Sequence, residues 1–246
     1  MKGRHHVLDP LLRPASIAVV GASERQHSVG RRTIENLLTG EYPGRLYAVN
    51  PGYESVLGVP CFPNLESLPE TVEHVVLTLG DARIEEALDA VIEHGATAAT
   101  MMSALMLAED SEPLLRDRIE AKVKASGLIV CGANGMGFYN CLDGVWVCGF
   151  DTRENHVRGG NVTLISHSGS GMAGIMDCEE RIDFNLAVST GQELCVRMDQ
   201  YMDWALEQDG TRAIGLFMET ARSPQGMIAA FEKANQKNVP VVLSTV

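Results

Sequence analysis

The sequence predicts an α/β protein of two units, each a parallel sheet covered by helices. Short apolar runs rich in Val, Ile, Leu and Ala alternate with amphipathic helical patterns along most of the 246 residues, the rhythm of strand-helix-strand crossovers. A strand that enters a small-residue turn and then a helix occurs twice, near 16–36 and again near 161–180. Between these two devices the rhythm breaks at 141–161, where an alternating apolar stretch gives way to polar, Gly-rich chain.

The first unit opens with SIAVV (16–20), the turn Gly21-Ala22-Ser23, a polar loop and a helix over 29–39. Further strands follow at RLYAVN (45–50), HVVLTL (74–79), ATAATMM (96–102) and GLIVCG (127–132). Helices with charged outer faces, such as RIEEALDAVIEH, are predicted over 82–94 and 112–125, which completes a doubly wound unit. CLDGVWVCGFDT (141–152) alternates around Gly144 and reads as an antiparallel excursion or hairpin. RENHVRGGN (153–161) reads as a domain boundary, giving units of 1–152 and 153–246.

The second unit runs through NVTLIS (161–166), a Ser/Gly turn, a helix near 170–180 and FNLAVS (184–189). A helix near 193–207, AIGLFME (213–219), a helix near 223–236 and VPVVLSTV (239–246) follow. Ligand groups in open α/β sheets gather just beyond the carboxyl ends of strands, so the loop after the last strand is expected beyond Val246.

A formal net charge of -12 with no Lys/Arg run opposes nucleic acid and anionic membrane surfaces as partners. An anionic ligand must then be held locally, by backbone N–H groups and a few placed cations. No run approaches the length of a membrane span, and residues 1–14 lack an apolar core with a cleavage site, so a cytoplasmic location is expected. The six cysteines show no CxxC pair and no Cys/His spacing suited to zinc; they read as reduced thiols, and no metal site is predicted.

Gly21, Ala22 and Ser23 before a helix opening near Gly30 have the layout of a phosphate cradle, although a glycine turn also serves packing alone. The spacing is longer than GxGxxG, and the second strand ends in Val49-Asn50-Pro51-Gly52-Tyr53 with no acid for a ribose, which weakens an NAD-linked oxidoreductase. SHSGSG (166–171) aims hydroxyls and N–H groups at one point, suited to a phosphate or oxyanion, or simply caps a helix. It lacks the GxSxG elbow of a serine hydrolase. GANGMGFYN (132–140) is either a second anion loop or an ordinary turn. Glu219, at a strand end, faces the crevice of the serine turn or simply solvent, and His167 is either an anion-binding cap or a nucleophile.

Taken in order, VVGASERQHSVGRRTIENLL, YAVNPGYESVLGVPCFPNLESLP, GANGMGFYN, LISHSGSG and LFMET resemble the NDP-forming acyl-CoA synthetases, the superfamily that includes the succinyl-CoA synthetase alpha subunit. The resemblance covers nearly the whole chain. It implies a Rossmann-like CoA-binding domain followed by a flavodoxin-like ligase domain. By the same resemblance Gly21, Ala22, Ser23, Arg25, Val29, Gly30, Asn50, Pro51 and Tyr53 hold CoA, and Met102, Ser103 and Ala104 meet its pantetheine arm. Asn134 and Gly135 with Ser168, Gly169 and Ser170 correspond to the phosphate site, and Glu219 to the glutamate that steadies a phosphohistidine.

The implied reaction joins a small carboxylic acid to CoA with ATP, giving acyl-CoA, ADP and phosphate through an acyl phosphate and a phosphohistidine. ATP or ADP with Mg2+ would enter only through an ATP-grasp subunit or a downstream segment, and the phosphohistidine is expected beyond Val246. The chain departs from the family where Gly132-Ala133-Asn134-Gly135 replaces Gly-Pro-Asn-Cys, where His167 replaces Gln, and where Tyr53 replaces a lysine of some members. A CoA-binding regulatory module without catalysis is the main alternative. The acid and the oligomeric state, a homo-oligomer included, stay open.

Overall fold

The computed structural model describes residues 6–150, 159–178 and 182–245. Most of the predicted boundary RENHVRGGN lies outside the described residues, as do the last residues of the helix expected near 170–180 and Val246.

The first sheet has seven strands in the order β3-β4-β2-β1-β5-β6-β7. Its parallel core is β1 (Ser16–Val20), β2 (Arg45–Val49), β5 (His74–Leu77), β6 (Ala98–Met101) and β7 (Ile129–Gly132), the five runs the sequence shows. Strands buried on both faces read as continuous apolar runs, and β5 and β6 are buried at every residue. Helices α2 (Val29–Thr39), α3 (Asp81–His94) and α4 (Leu115–Ser126) connect them. A short helix α1 (Asp9–Leu12) and a small antiparallel pair, β3 (Ser55–Val56) and β4 (Val59–Phe62), were not anticipated. Each is four residues or fewer, too short for a periodic signal.

The second sheet has the order β13-β12-β10-β11-β8-β9. β10 (Val162–Ser166), β11 (Phe184–Ser189), β12 (Ala213–Met218) and β13 (Val241–Thr245) are parallel, with α5 (Gly169–Cys178), α6 (Met198–Leu206) and α7 (Pro224–Gln236) between them. The sheet is not wholly parallel: β8 (Gly137–Asn140) and β9 (Val145–Cys148) form a hairpin, and β8 pairs antiparallel with β11. The hairpin precedes 153 in the chain yet belongs to the second sheet, so the chain changes sheets between Gly132 and Gly137. Gly137, at φ +87, passes so close to Val147 that a Cβ would strike its carbonyl oxygen. GFYN is a strand rather than part of the preceding loop because it ladders with both β11 and β9.

All eight hairpin residues are buried: α2 of the first unit packs against β9, and Tyr139, Trp146 and Cys148 cluster with Met172 and Met176 of α5. Asn36 Nδ2 donates to the carbonyls of Cys148 (2.9 Å) and Phe150 (2.7 Å), so a side chain of the first unit closes the end of a strand in the second. α6 begins at Met198 rather than near 193, since the preceding segment runs beside β7. Val196 N–H donates to Val130 O (3.2 Å), Leu194 N–H to Gly132 O (3.0 Å) and Gln192 N–H to Ala133 O (2.7 Å). Pairing through alternate N–H groups holds 192–196 extended, so the helix cannot begin before this segment ends.

His74 sits fully buried on β5, its ring stacked on Phe138 of the hairpin at 6.1 Å and its Nε2 2.9 Å from Thr100 Oγ1. Burial pushes its pKa down from 6.5 to about 3. The unfolded chain therefore takes up a proton that the folded protein refuses between these values. This contribution to stability is full above pH 6.5 and is lost as pH falls toward 3, by up to about 1.4 kcal/mol per pH unit. His74→Gln is expected to flatten that acid limb in urea titrations across pH 4–7; an unchanged slope would exclude His74 as its source.

Candidate functional site

The opening turn is built on two glycines in contact. Gly21 leaves β1 at φ +89, and its N–H donates to Val49 O at 3.0 Å. A Cβ on Gly30, in the first turn of α2, would collide with the Gly21 carbonyl oxygen. Ser28 caps α2, its Oγ accepting the Arg31 N–H at 3.4 Å, and the polar loop before it lies over the helix start. Ala22 is buried, Ser23 and Val29 half-buried, and Arg25 exposed.

The second strand end is stitched to this turn. Asn50 Nδ2 donates to Ala22 O (2.7 Å) and its Oδ1 accepts the Gly52 N–H (2.9 Å). Tyr53 Oη lies 3.3 Å from Ser23 Oγ, while Pro51 is exposed beside them. The structure thus brings Gly21, Ala22, Ser23, Gly30, Asn50 and Tyr53 to one place, at the carboxyl ends of β1 and β2 and the N-terminus of α2. Glu24 and Arg31, missed in the sequence, brace the loop. Arg31 pairs with Glu24 and Glu35 at 2.7 Å each, and Glu24 Oε1 accepts the Leu57 N–H at 2.7 Å.

Beyond β6, Ser103 is buried and its hydroxyl donates to Asp81, which also accepts the Leu105 N–H at 3.0 Å. Burial pushes the Asp81 carboxyl up, but hydrogen bonds from Ser103 and from the N–H groups of Leu105, Met106 and Ala104 outweigh it and hold the group below its usual range. Asp81 therefore fixes the loop carrying Ser103 and Ala104. Its position at the first residue of α3, after Gly80, was the signal available for it.

In the second unit, Ser168 Oγ accepts the Gly171 N–H (3.0 Å) as a cap of α5, and Ser166 Oγ donates to Ser168 O (2.7 Å). Ser170 is exposed and Gly169 half-buried. Asn134 is exposed at φ +52, and a Cβ on Gly135 would lie 2.6 Å from Ser189 O, so the 132–135 loop rests on the end of β11. Glu219 is exposed, with its N–H donated to His167 Nδ1 at 3.0 Å. His167 is buried against Glu193 and Arg222, two residues the sequence did not single out.

The first turn and the serine turn meet through Met136. A Cβ on Gly169 would lie 2.5 Å from Met136 Cγ, and one on Gly149 would lie 3.0 Å from Met136 Cε, 3.0 Å from Val29 Cγ1 and 3.1 Å from Met102 Sδ. Val29, Met102 and Met136 therefore surround Gly149, and Met136 also borders Gly169. Among the described residues, no group of three or more His, Cys, Asp or Glu is arranged to hold a metal ion, and no helix is long and apolar enough to cross a membrane.

The CoA binding domain family matches residues 15–140, slightly more than half of the chain. The chain belongs to this CoA-binding family. Residues 159–246 match the succinyl-CoA ligase like flavodoxin domain, and the two domains in this order are those of the NDP-forming acyl-CoA synthetases. Among curated relatives, trans-feruloyl-CoA synthase FCS1 of an unknown prokaryotic organism is 27% identical over 242 residues, covering 96% of this chain and 34% of that protein. The alpha subunit of the ADP-forming acetate–CoA ligase II of Pyrococcus furiosus is 25% identical over 245 residues, covering 96% and 51%.

Among solved structures, the Ca. Korarchaeum cryptofilum dinucleotide forming acetyl-coenzyme A synthetase 1, in complex with phosphate and ADP, superposes with a TM-score of 0.85 at 22% identity, covering 97% of this chain and 51% of that one. An ATP citrate lyase from Methanothrix soehngenii, in complex with citrate and coenzyme A, gives 0.72 at 15% identity, covering 97% and 42%. These likenesses establish the fold, a Rossmann-like unit followed by a flavodoxin-like one. The chain spans about a third to a half of the length of the curated relatives cited.

Proposed function

We propose that this chain is the CoA-binding and ligase portion of an ADP-forming acid–CoA ligase. The observation that carries the reading is the junction at Gly149, where the wall of the first cradle and the wall of the serine turn share Met136. Two anion-suited turns at the carboxyl ends of two sheets, joined by apolar contacts, suit a ligand with phosphates at one end and a reacting group at the other. The glycine pair supports the cradle, because the turn after β1 and the first turn of α2 can pack this closely only while Gly30 carries no Cβ.

In this reading the N–H groups of the first turn and the start of α2, with Arg25, Asn50, Pro51 and Tyr53, hold the nucleotide end of CoA. The loop of Ser103 and Ala104, fixed by Asp81, flanks the arm; the Ser103 hydroxyl is committed to Asp81, so this loop offers backbone groups. CoA supplies the thiol that accepts the acyl group. Asn134, Ser168, Gly169 and Ser170 present donors where negative charge develops on a phosphoryl group, and Glu219 offers an exposed carboxylate at the same crevice. ATP with Mg2+ is handled by an ATP-grasp region, on a partner subunit or on further chain, and the acid is a small carboxylate.

Calorimetric titration of the 246-residue chain with CoA, NAD and ADP tests the reading. Saturable heat with CoA alone is expected; saturable NAD binding without CoA binding would overturn it. The same chain incubated with acid, ATP and CoA is expected to form no acyl-CoA. His167, with its side chain 1% exposed and both ring nitrogens engaged, is not placed to act as a substitute phosphoacceptor.

A further inference from the structure

Three neighbouring strands of the second sheet, β12, β10 and β11, end in loops that one buried side-chain relay ties together. His167 comes from the turn after β10, Glu193 from the segment after β11, and Arg222 from the loop after β12. His167 Nδ1 accepts the Glu219 N–H at 3.0 Å, which requires that nitrogen to be bare. The ring proton therefore sits on Nε2, which donates to Glu193 Oε1 at 3.1 Å. The same Oε1 accepts the N–H of Met198, the first residue of α6, at 2.9 Å, so the positive end of that helix supports the carboxylate. Arg222 Nη1 lies 3.7 Å from Glu193 Oε2 and 3.3 Å from His167 Nε2.

The side chains of His167 and Glu193 are 1% and 2% exposed. A carboxylate this deep is tolerated only with its partners in place. Removing the imidazole would free both the Glu219 backbone and the turn that carries Ser168 to Ser170.

We propose that His167 and Glu193 are positioning residues that set the Glu219 backbone against the serine turn, and so set the geometry of the phosphoryl site. The inference rests on the ligase reading above. It also accounts for His167 standing where the family has Gln. A glutamine carries an acceptor and a donor on one planar group, so it can accept from Glu219 N–H and donate to Glu193. Alanine can do neither, and neither glutamine nor alanine can carry a phosphoryl group. His167→Gln therefore separates positioning from chemistry at the ring.

The test uses the 246-residue chain and three measurements. Long-range 1H–15N spectra of the wild-type imidazole at pH 7.5 are expected to show the neutral Nε2–H tautomer; an Nδ1–H tautomer, or a ring protonated at both nitrogens, would overturn the proposal. Inorganic phosphate is then titrated while the amides of Ser168, Gly169, Ser170 and Glu219 are followed. Wild type is expected to saturate, His167→Gln to stay within about threefold of it, and His167→Ala and Glu193→Gln to weaken at least tenfold. No phosphate response in wild type, wild-type-like binding by His167→Ala, or a His167→Gln as weak as His167→Ala would each overturn it. Should His167→Ala fail to fold, Glu193→Gln and the tautomer still decide. CoA binding, measured in parallel, is expected to be unchanged in all variants that fold. Its absence in wild type would sink the ligase reading, a result separate from any loss of phosphate binding.

Discussion

Gly30→Ala is expected to remove CoA binding, raising Kd at least tenfold, and to destabilise the fold by about 1–3 kcal/mol, the usual range for overpacking. The added Cβ would collide with the carbonyl oxygen of Gly21 and approach its carbonyl carbon at 2.9 Å and Thr78 Oγ1 at 2.9 Å. Two of these three atoms are backbone, so relief requires moving the turn after β1 or the first turn of α2. Either shift displaces the N–H groups that the proposed CoA phosphates would meet. Gly174→Ala is the matched control: Gly174 lies in α5 with no positive φ, and a Cβ there would meet nothing within 4 Å, so alanine is expected to stabilise by about 0.5–1 kcal/mol. Calorimetry with CoA and urea denaturation read both effects. Gly30→Ala with wild-type affinity would show that the glycine contact serves helix packing alone.

Legibility in the sequence follows the range of the interactions concerned. The strands and helices of both units were readable because each carries its own apolar period, and β1 and β11 fall where the apolar runs SIAVV and FNLAVS place them. The first cradle was readable for a similar reason: Gly21, Ala22 and Gly30 lie within ten residues, and the loop of Asn50 follows the next strand. The sheet that the 137–148 hairpin joins was not readable. Its period is strand-like in either sheet, and the choice is made by the ladder of β8 with β11, a strand that follows more than forty residues later.

The relay under the serine turn was hidden for the same reason. His167 stands out in the sequence as a departure from the family, but its partners Glu193 and Arg222 lie 26 and 55 residues further on. A polar Thr190-Gly191-Gln192-Glu193 run straight after an apolar strand was the available signal, and it reads equally well as a solvated turn. Only the fold shows Glu193 turned inward. The late start of α6 is a tertiary override of the same kind, since residues 192–196 find backbone partners on β7 and at Ala133 just beyond it.

Trp204→Ala is expected to cost about 3–5 kcal/mol, the range for truncating a fully buried aromatic side chain. Trp204 lies on α6 of the second unit, yet its Nε1–H donates to Asp9 Oδ1 of α1 at 2.9 Å, and the Arg13 guanidinium lies over its ring at 4.8 Å. α1 itself packs against β6 and β7 of the first sheet, and its Leu12 carbonyl accepts from Asn140 Nδ2 of the hairpin at 2.9 Å. The indole is thus a fastening between the two sheets as well as core. Trp204→Phe keeps most of the ring and loses the donor to a buried carboxylate, so a smaller loss of about 1–3 kcal/mol is expected. Cooperativity separates the two contributions. If the fastening couples the units, wild type unfolds in one transition and Trp204→Ala in two, with a lower total m-value for the first step. A single transition in Trp204→Ala would place the coupling instead in the α2–β9 contact, where Asn36 holds the end of the hairpin.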